Sequence, residues 1–145
     1  MSAYQRNKGA RFERLVASTM AEATGLDIHR TGGQSRKGTD APDVEAPGVW
    51  LECKVGARPD ALRALAQGER DTDGRPVVAV CKRDRYPASA TMRLRTAAVL
   101  WGVDTVGTRD DGPVVGMLFD EFLRLWAGVY GEQVGAVPMA KAGGK

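Results

Sequence analysis

The sequence predicts a single α/β domain, because segments with helical and with strand-like spacing alternate along a chain of suitable length. The chain has 145 residues, of which 43% are hydrophobic, and this size suits one compact core rather than two. We expect the domain to cover residues 1–130. Residues 131–145 are rich in glycine, alanine and lysine, and we expect a disordered tail there.

A first helix is predicted from about Lys8 to Thr24. Phe12, Val16 and Met20 recur there at helical spacing, and Gly25 is a typical residue just past a helix end. The opening turns of this helix are basic, although the helix dipole disfavours cations at that end. This placement indicates an anion close to the start of the helix.

Two strands joined by a tight turn are predicted next, at residues 42–45 and 49–55, with the turn at residues 46–48. In the second strand the odd-numbered residues are apolar and are expected to face the core. Glu52 and Lys54 therefore project side by side from the opposite face.

A second helix is predicted to open at Pro59, with Leu62, Leu65 and Ala66 as its inward stripe. Residues 77–81 form an unbroken apolar run, which is typical of a central strand that is covered on both faces.

Further strand and helix signals follow in the last third of the chain. We expect a strand and a short helix within residues 88–101, a strand at 114–118, and a last helix from about Asp120. Trp101 and Trp126 lie among apolar neighbours and are expected in the core.

Two cysteines, Cys53 and Cys81, lie inside apolar runs. Together with a single histidine they make no convincing zinc site, so we expect two buried free thiols. No apolar run approaches the roughly 20 residues that span a bilayer. The N-terminus lacks the apolar region of a signal peptide. These features predict a cytoplasmic protein without a membrane partner.

The net charge of +3 is unevenly distributed along the chain. Residues 1–40 contain seven basic and four acidic residues, and residues 81–95 contain five basic residues and one acidic residue. Such asymmetry suits a polyanion, because neutralised phosphates release counterions. The alternative is an ordinary solvated basic surface. The candidate DNA-binding residues are Arg6, Lys8, Arg11, Arg14, Ser35, Arg36, Lys37, Lys82, Arg83 and Arg85.

Asp43 precedes Glu52 by nine residues across the predicted turn, so a hairpin would bring both carboxylates to neighbouring strands. Mg²⁺ prefers oxygen ligands and usually keeps several waters. Asp43, Glu52 and the backbone carbonyl of Cys53 could hold such an ion. Lys54 could then orient a water or stabilise the charge on a scissile phosphate. The alternative is a surface ion pair of Glu52 with Lys54, and a turn role for Asp43.

The segments Pro42-Asp43 and Glu52-Cys53-Lys54 resemble the signature of the PD-(D/E)XK nuclease superfamily. The segment around Glu13 is similar to the first helix of its Holliday junction resolvase-like members. This resemblance implies a restriction-endonuclease-like core, a central mixed β-sheet flanked by α-helices, in a nuclease domain of residues 1–130. It also implies that Glu13 supports the metal or its water shell, and that Gln67 lines the site as a further catalytic residue. Helical spacing places Glu13 at the edge of the buried stripe of the first helix, where a glutamate is costly unless it meets a cation.

The same resemblance implies a Mg²⁺-dependent endonuclease, with Mn²⁺ as a substitute, that cuts branched DNA such as four-way junctions as a homodimer. Some enzymes of this kind are encoded by bacteriophages, so the host cytoplasm is the expected location in that case. The last helix, with Trp126 and Val129, is one candidate dimer interface, and packing of that helix on its own sheet is the other. Two alternative functions stay open: a nicking, repair or restriction nuclease on the same scaffold, and a non-catalytic DNA-binding module.

Overall fold

The computed structural model describes residues 2–32 and 40–131. It confirms the α/β class and the central mixed sheet flanked by helices. In chain order the elements are α1 (Ala3–Thr24), β1 (His29–Arg30), β2 (Val44–Ala46), β3 (Val49–Gly56), α2 (Ala61–Asp71), β4 (Val77–Arg83), β5 (Ser89–Arg93), α3 (Leu94–Trp101), β6 (Val114–Leu118) and α4 (Phe119–Tyr130).

The six strands lie in the sheet in the same order as in the chain, from β1 to β6. Neighbouring strands are antiparallel except for β3 and β4, which are parallel. A parallel pair needs a long crossover connection, and α2 supplies it. This places the predicted hairpin, β2 with β3, beside the central strand β4.

Strand β3 separates two hydrophobic cores. Its residues Val49, Leu51 and Cys53 contribute to the larger core, together with α1, α3 and α4. Trp50 lies in the smaller core with Leu65 of α2 and with alternate residues of β4. The predicted alternation is therefore confirmed. Strand β4 is buried on both faces at residues 77–81, as its apolar run predicted.

Helix α1 is longer at its start than the apolar spacing predicted. It begins at Ala3 because Ser2 and Gln5 form a capping box. The Ser2 hydroxyl accepts from the Gln5 N–H at 3.1 Å, and the Gln5 side chain accepts from the Ser2 N–H at 3.3 Å. Gly25, at φ 76°, ends the helix in the left-handed conformation, as predicted.

The turn between β2 and β3 is held by α4. It has two residues, Pro47 and Gly48, and Gly48 has a φ of 78° that favours glycine. The Trp126 Nε1–H of α4 donates to the Pro47 carbonyl at 3.0 Å. The Tyr130 hydroxyl lies where a Cβ on Gly48 would be. The conformation of the hairpin turn therefore depends on α4.

The inward stripe that we predicted for α2 is wrong in part. Leu65 is buried, but Leu62 and Ala66 are exposed. The helix faces the sheet through Ala64, Leu65 and Gly68 instead. A Cβ at Gly68 would lie 2.5 Å from Val77 Cγ1 and 3.0 Å from Glu52 Cγ. The close approach at this glycine and the burial of Leu65 set the rotation of α2, and Leu62 and Ala66 do not contribute.

Two further expectations about the core are also corrected. Trp126 is buried as predicted, but Trp101 is 70% exposed. Ala97 and Leu100 lie on the buried face of α3. Trp101 follows Leu100 and lies about 100° around the helix from it, so it points away from that face. Val129 on α4 is exposed. The apolar face of α4 with Trp126 belongs to the chain's own core, which is the second of the two roles considered for that helix.

Three further observations concern the cysteines, the predicted tail and the apolar length of the helices. Cys53 and Cys81 are free and buried, as predicted. The predicted tail, apart from Gly131, lies outside the described residues. Within residues 2–32 and 40–131, no helix is both long and apolar enough to cross a membrane.

We predict that Gly48→Ala destabilises the fold by about 2 to 4 kcal/mol, because a left-handed backbone and a crowded Cβ both oppose alanine. Urea unfolding measures this loss. Gly128→Ala is the matched control: Gly128 lies within α4, and a Cβ there has nothing within 4 Å. This control should gain up to about 1 kcal/mol from helix propensity. Equal stability of the two variants would contradict the role assigned to the turn.

Candidate metal and phosphate site

An open cleft of about 650 Å³ lies between the N-terminal half of α1 and the C-terminal half of β3. Among the described residues, four of the six predicted catalytic and metal-binding residues line it, namely Glu13, Asp43, Cys53 and Lys54, whereas Glu52 and Gln67 do not. Its lining residues are Gln5, Arg6, Gly9, Ala10, Glu13, Arg30, Asp43, Cys53, Lys54 and Val55.

Asp43 is positioned where β2 begins. Val44 pairs with Leu51, and the Asp43 N–H also donates to the Leu51 carbonyl at 2.9 Å. Two residues of one strand thus oppose a single residue of the other, which is the arrangement of a β-bulge. The Asp43 Oδ2 accepts from the Cys53 N–H at 2.8 Å. The bulge and this bond fix the carboxylate at the wall of the cleft.

The Cys53 carbonyl faces the same opening as the Cys53 N–H. In an antiparallel pair the N–H and the C=O of one residue point to the same neighbouring strand. The Leu51 carbonyl and the Cys53 N–H both form hydrogen bonds with Asp43, so both residues point their backbone groups to that side. Burial and the nearby carboxylates raise the pKa of the Cys53 thiol well above its ordinary value. The thiol therefore stays protonated. The backbone oxygen is the atom of Cys53 that suits a hard cation.

Glu52 lies between β3 and α2 and is buried, with 4% of its surface exposed. Its Oε2 accepts from the Trp50 Nε1–H at 2.8 Å, and its Cγ lies against Gly68. Burial, followed by repulsion from Asp43, raises the pKa of Glu52 to about 7. The carboxylate is therefore held in a place where a negative charge is costly unless a cation is near.

Glu13 reaches the cleft from α1 and meets Arg30 of β1, whose Nε–H donates to Glu13 Oε1 at 2.7 Å. The sequence indicated that a half-buried glutamate here needs a cation, and Arg30 provides one. Burial and repulsion from Asp43 nevertheless raise the pKa of Glu13 above its ordinary value. Glu13 and Asp43 are therefore electrostatic neighbours.

Lys54 is exposed at the mouth of the cleft. Its positive charge opposes the rise in the pKa of Glu13, Asp43 and Glu52. Burial is the largest cause of the raised pKa of Asp43, so Lys54 and Arg30 compensate the carboxylates only in part. The pKa of Asp43 therefore stays above its ordinary value despite these two cations.

A divalent cation beside Asp43 would favour the charged forms of these carboxylates. Among the described residues, no three Asp, Glu, His or Cys side chains converge closely enough to hold an ion together. Magnesium does not need three, because it is usually bound by one or two carboxylates and several waters. Asp43, Glu52 and the Cys53 carbonyl offer oxygen donors of that kind, and Glu13 lines the same cleft as Asp43.

The other predicted site residues are placed as follows. Gln67 is half-buried on α2 and does not line the described part of the cleft. Arg6 lines the cleft, and Lys8 beside it pairs with Asp84 at 2.9 Å. The other predicted DNA-binding residues within the described residues are at least partly exposed. Arg11 and Arg14 lie on α1, and Lys82, Arg83 and Arg85 lie on β4 and the turn that follows it. Ser35, Arg36 and Lys37 lie outside the described residues.

Sequence reasoning missed two partners of the carboxylates, Arg30 and Trp50. Arg30 belongs to β1, which has two residues and is too short to give a periodic signal. The half-buried position of Glu13 was the only indication that such a cation exists. Trp50 is a buried packing residue. Its spacing of two residues from Glu52 on one strand face was the available signal for the hydrogen bond.

We predict that the stability of the metal-free protein falls as pH rises from about 4.5 to about 7. The folded state holds the Glu52 proton up to about pH 7, whereas the unfolded chain releases it near its ordinary value. The folded state therefore binds more protons in this window, and stability is lost as pH increases. Glu52→Gln should abolish this pH-dependent fall, which is of the order of 1 to 3 kcal/mol in the free energy of unfolding.

Urea unfolding at pH 5 and pH 8 in chelator measures this difference. The control is Glu22→Gln, which removes one negative charge from an exposed position on α1 and should leave the wild-type pH dependence in place. If Glu52→Gln loses as much stability between the two pH values as the wild type does, the assignment to Glu52 is wrong.

Comparison with known proteins gives no relative: no protein-family model matches the chain, and no curated protein or solved structure matches it.

Proposed function

We propose that this protein is a Mg²⁺-dependent endonuclease of the PD-(D/E)XK type, with Mn²⁺ as a substitute, that hydrolyses phosphodiester bonds of branched DNA. One observation carries the proposal. Asp43 lies in the cleft with Glu13 and Lys54, and its negative charge adds to the effect of burial in raising the pKa of Glu52. Carboxylates that repel one another beside a lysine suit a site completed by a cation and a phosphate.

The chain's own residues would divide the reaction as follows. Asp43, Glu52 and the Cys53 carbonyl would hold the ion, which when bound lowers the pKa of a coordinated water and neutralises charge on the phosphate. Lys54, exposed at the mouth of the cleft, would donate to a phosphate oxygen or orient the attacking water. In hydrolysis the water oxygen joins phosphorus, the bond to the leaving sugar oxygen breaks, and that oxygen takes a proton.

Different observations support Glu13 and Gln67 as assisting residues. Glu13 lines the cleft and faces Asp43 electrostatically, which supports a role in orienting the water shell of the ion. Gln67 is adjacent to Gly68, against which Glu52 packs. This neighbourhood supports a role in positioning Glu52 rather than direct contact with the reacting atoms.

The basic residues around the cleft support DNA as the substrate. Arg6 lines the cleft, and Arg11 and Arg14 continue the same helix on its exposed surface. Exposed cations beside a phosphodiester site hold the DNA backbone and make binding strongly dependent on salt. The order of α1, the β2–β3 hairpin, α2 and β4 supports a restriction-endonuclease-like core in a nuclease domain of residues 1–130.

Branched DNA and a homodimer are the finer parts of the proposal. Each chain has one such cleft among its described residues, whereas resolving a four-way junction needs two symmetric cuts. A pair of chains related by a two-fold axis would supply both. We place this activity in the cytoplasm, or in the host cytoplasm for a phage-encoded enzyme.

We predict that Lys54→Ala lowers the single-turnover cleavage rate by about 100- to 1000-fold, because the loss of one charge-stabilising donor typically has that effect. DNA binding should change by less than about threefold, since Lys54 contributes one of many phosphate contacts. Cleavage of a labelled junction in Mg²⁺ and binding in Ca²⁺ separate the two quantities. Asp43→Asn should also abolish cleavage.

Lys82→Ala is the matched control for charge. Lys82 lies on β4 beyond the cleft, so its loss should weaken binding and reduce the salt dependence while leaving the single-turnover rate at saturation unchanged. If Lys54→Ala behaves in the same way as Lys82→Ala, then Lys54 binds phosphate only and has no role in the reaction.

We further predict that the wild type cuts a synthetic four-way junction in paired strands at least tenfold faster than a matched linear duplex. The assay compares Mg²⁺, Mn²⁺ and chelator, together with nicked and flapped DNA. Equal cutting of all substrates would retain the nuclease and reject the junction preference. Binding without cutting in any metal, by a chain whose fold is intact, would support the DNA-binding module instead.

A further inference from the structure

A second pocket lies near the cleft, at the end of the sheet where β3 and β4 finish. Its volume is about 500 Å³, which is within the range of roughly 300 to 1,000 Å³ typical of small-ligand pockets. It belongs to the side of the sheet that α2 covers, since Cys81 is part of the smaller core. Its lining residues are Arg58, Pro59, Ala61, Cys81, Arg83, Tyr86, Pro87 and Ser89.

The lining combines an apolar floor with a cationic and aromatic rim. Burial raises the pKa of Cys81 to about 11, so the thiol at the floor is uncharged. Arg58 and Arg83 are both exposed at the rim. Tyr86 is 54% exposed, and the Arg83 guanidinium lies 4.7 Å from the centre of its ring. A neutral floor, a planar stack and two cations suit a nucleobase with its phosphates.

The turn that carries Arg83 and Tyr86 is fixed in place. The Tyr86 N–H donates to the Arg83 carbonyl at 3.0 Å, and the Asp84 N–H donates to the Gly56 carbonyl at the end of β3 at 2.9 Å. The Asp84 carboxylate accepts from Lys8 of α1. Arg85 closes the turn at φ 70°, a conformation that costs free energy for a non-glycine residue and is concentrated at functional sites.

The pocket is within reach of the proposed active site. Arg58 follows Lys54 by four residues, so their Cα atoms are at most about 14 Å apart even along a fully extended chain. Each nucleotide of a DNA strand advances by about 3.4 Å along the axis of a duplex, and neighbouring phosphates are farther apart than this axial rise. A strand whose phosphate lies at Lys54 therefore brings a nucleotide about four positions away, or fewer, to the rim of the pocket.

We propose that this pocket receives an unpaired nucleotide of the DNA substrate, with the base stacked on the Arg83–Tyr86 pair and its phosphate held by Arg58. The inference rests on the proposed nuclease function and specifies its substrate. A base inside an intact duplex is stacked and paired, so it cannot enter such a pocket without being extruded. Branch points, flaps and gaps supply unpaired nucleotides. The pocket thus selects DNA whose strands separate within a few nucleotides of the cut.

The test measures binding in the cleavage-deficient Asp43→Asn background, in buffer with chelator. The probes are a linear duplex and the same duplex interrupted by a five-nucleotide gap containing 2-aminopurine, whose fluorescence reports stacking. We expect tighter binding to the gapped probe and a change in 2-aminopurine fluorescence on binding. Tyr86→Ala should weaken gapped-probe binding by about 5- to 100-fold, which is the typical contribution of one stacked base. Its effect on the linear duplex should be less than about threefold.

Two further variants separate stacking from charge and from folding. Tyr86→Phe keeps the ring and should restore the fluorescence change and most of the affinity for the gapped probe. Arg124→Ala removes an exposed charge from α4 and should leave the difference between the two probes unaltered. Circular dichroism confirms that each variant is folded.

The outcomes distinguish this inference from the nuclease function itself. If Tyr86→Ala weakens both probes equally, or neither, the nucleotide pocket is refuted, while metal-dependent cleavage by the wild type would leave the nuclease proposal standing. A selective loss in Tyr86→Ala, with no cleavage by the wild type in Mg²⁺ or Mn²⁺, would retain the pocket and reject the nuclease. If the Asp43→Asn protein binds neither probe, the pocket is refuted.

Discussion

Strand β3 is the constraint on which the rest of the structure depends, because its residues serve two cores and the candidate site at once. Val49 and Leu51 are buried among α1, α3 and α4, while Trp50 packs under α2. With both faces covered, Glu52 is withdrawn from water, and its carboxylate has the Trp50 N–H as a partner. The same strand supplies the Cys53 N–H that orients Asp43. The site is therefore a continuation of the sheet, and its carboxylates gain their unusual electrostatics from the packing that stabilises the fold.

The positive charges in and around the cleft compensate its carboxylates only in part. A carboxylate that stabilises a fold is normally paired well enough to lower its pKa. Here three neighbouring carboxylates have raised pKa values, although Arg30 and Lys54 are present. Because burial is the largest cause of each raised pKa, the charged forms of these carboxylates cost stability in the folded state.

The sequence predicted the parts of this structure that have a local periodic signal. The alternation of β3, the buried run of β4, the end of α1 at Gly25 and the two free thiols were all predicted. The parts that failed depend on tertiary contacts. Strand β1 is too short to show a period, α2 is rotated by the approach of Gly68, and Trp101 follows the last buried turn of α3. For the site, the sequence predicted a hairpin that brings Asp43 and Glu52 to neighbouring strands, and the structure has that hairpin, with Asp43 where β2 begins and Glu52 in β3. It did not predict the bulge at Asp43 or the pairing of Glu13 with Arg30, because both need the position of a separate strand.

The contact of α4 with the hairpin turn has a consequence for the order in which the protein matures. Trp126 and Tyr130 follow all six strands in the chain, yet they fix Pro47 and Gly48, close to the strand that carries Asp43. During synthesis the N-terminal segments emerge first, and a growing chain without α4 lacks both the Pro47 partner and a large part of the main core. The cleft therefore acquires its final shape only after the segment that ends at Tyr130 has left the ribosome. A chain that is released early, before that segment, carries every proposed catalytic residue but not the support that holds them in register.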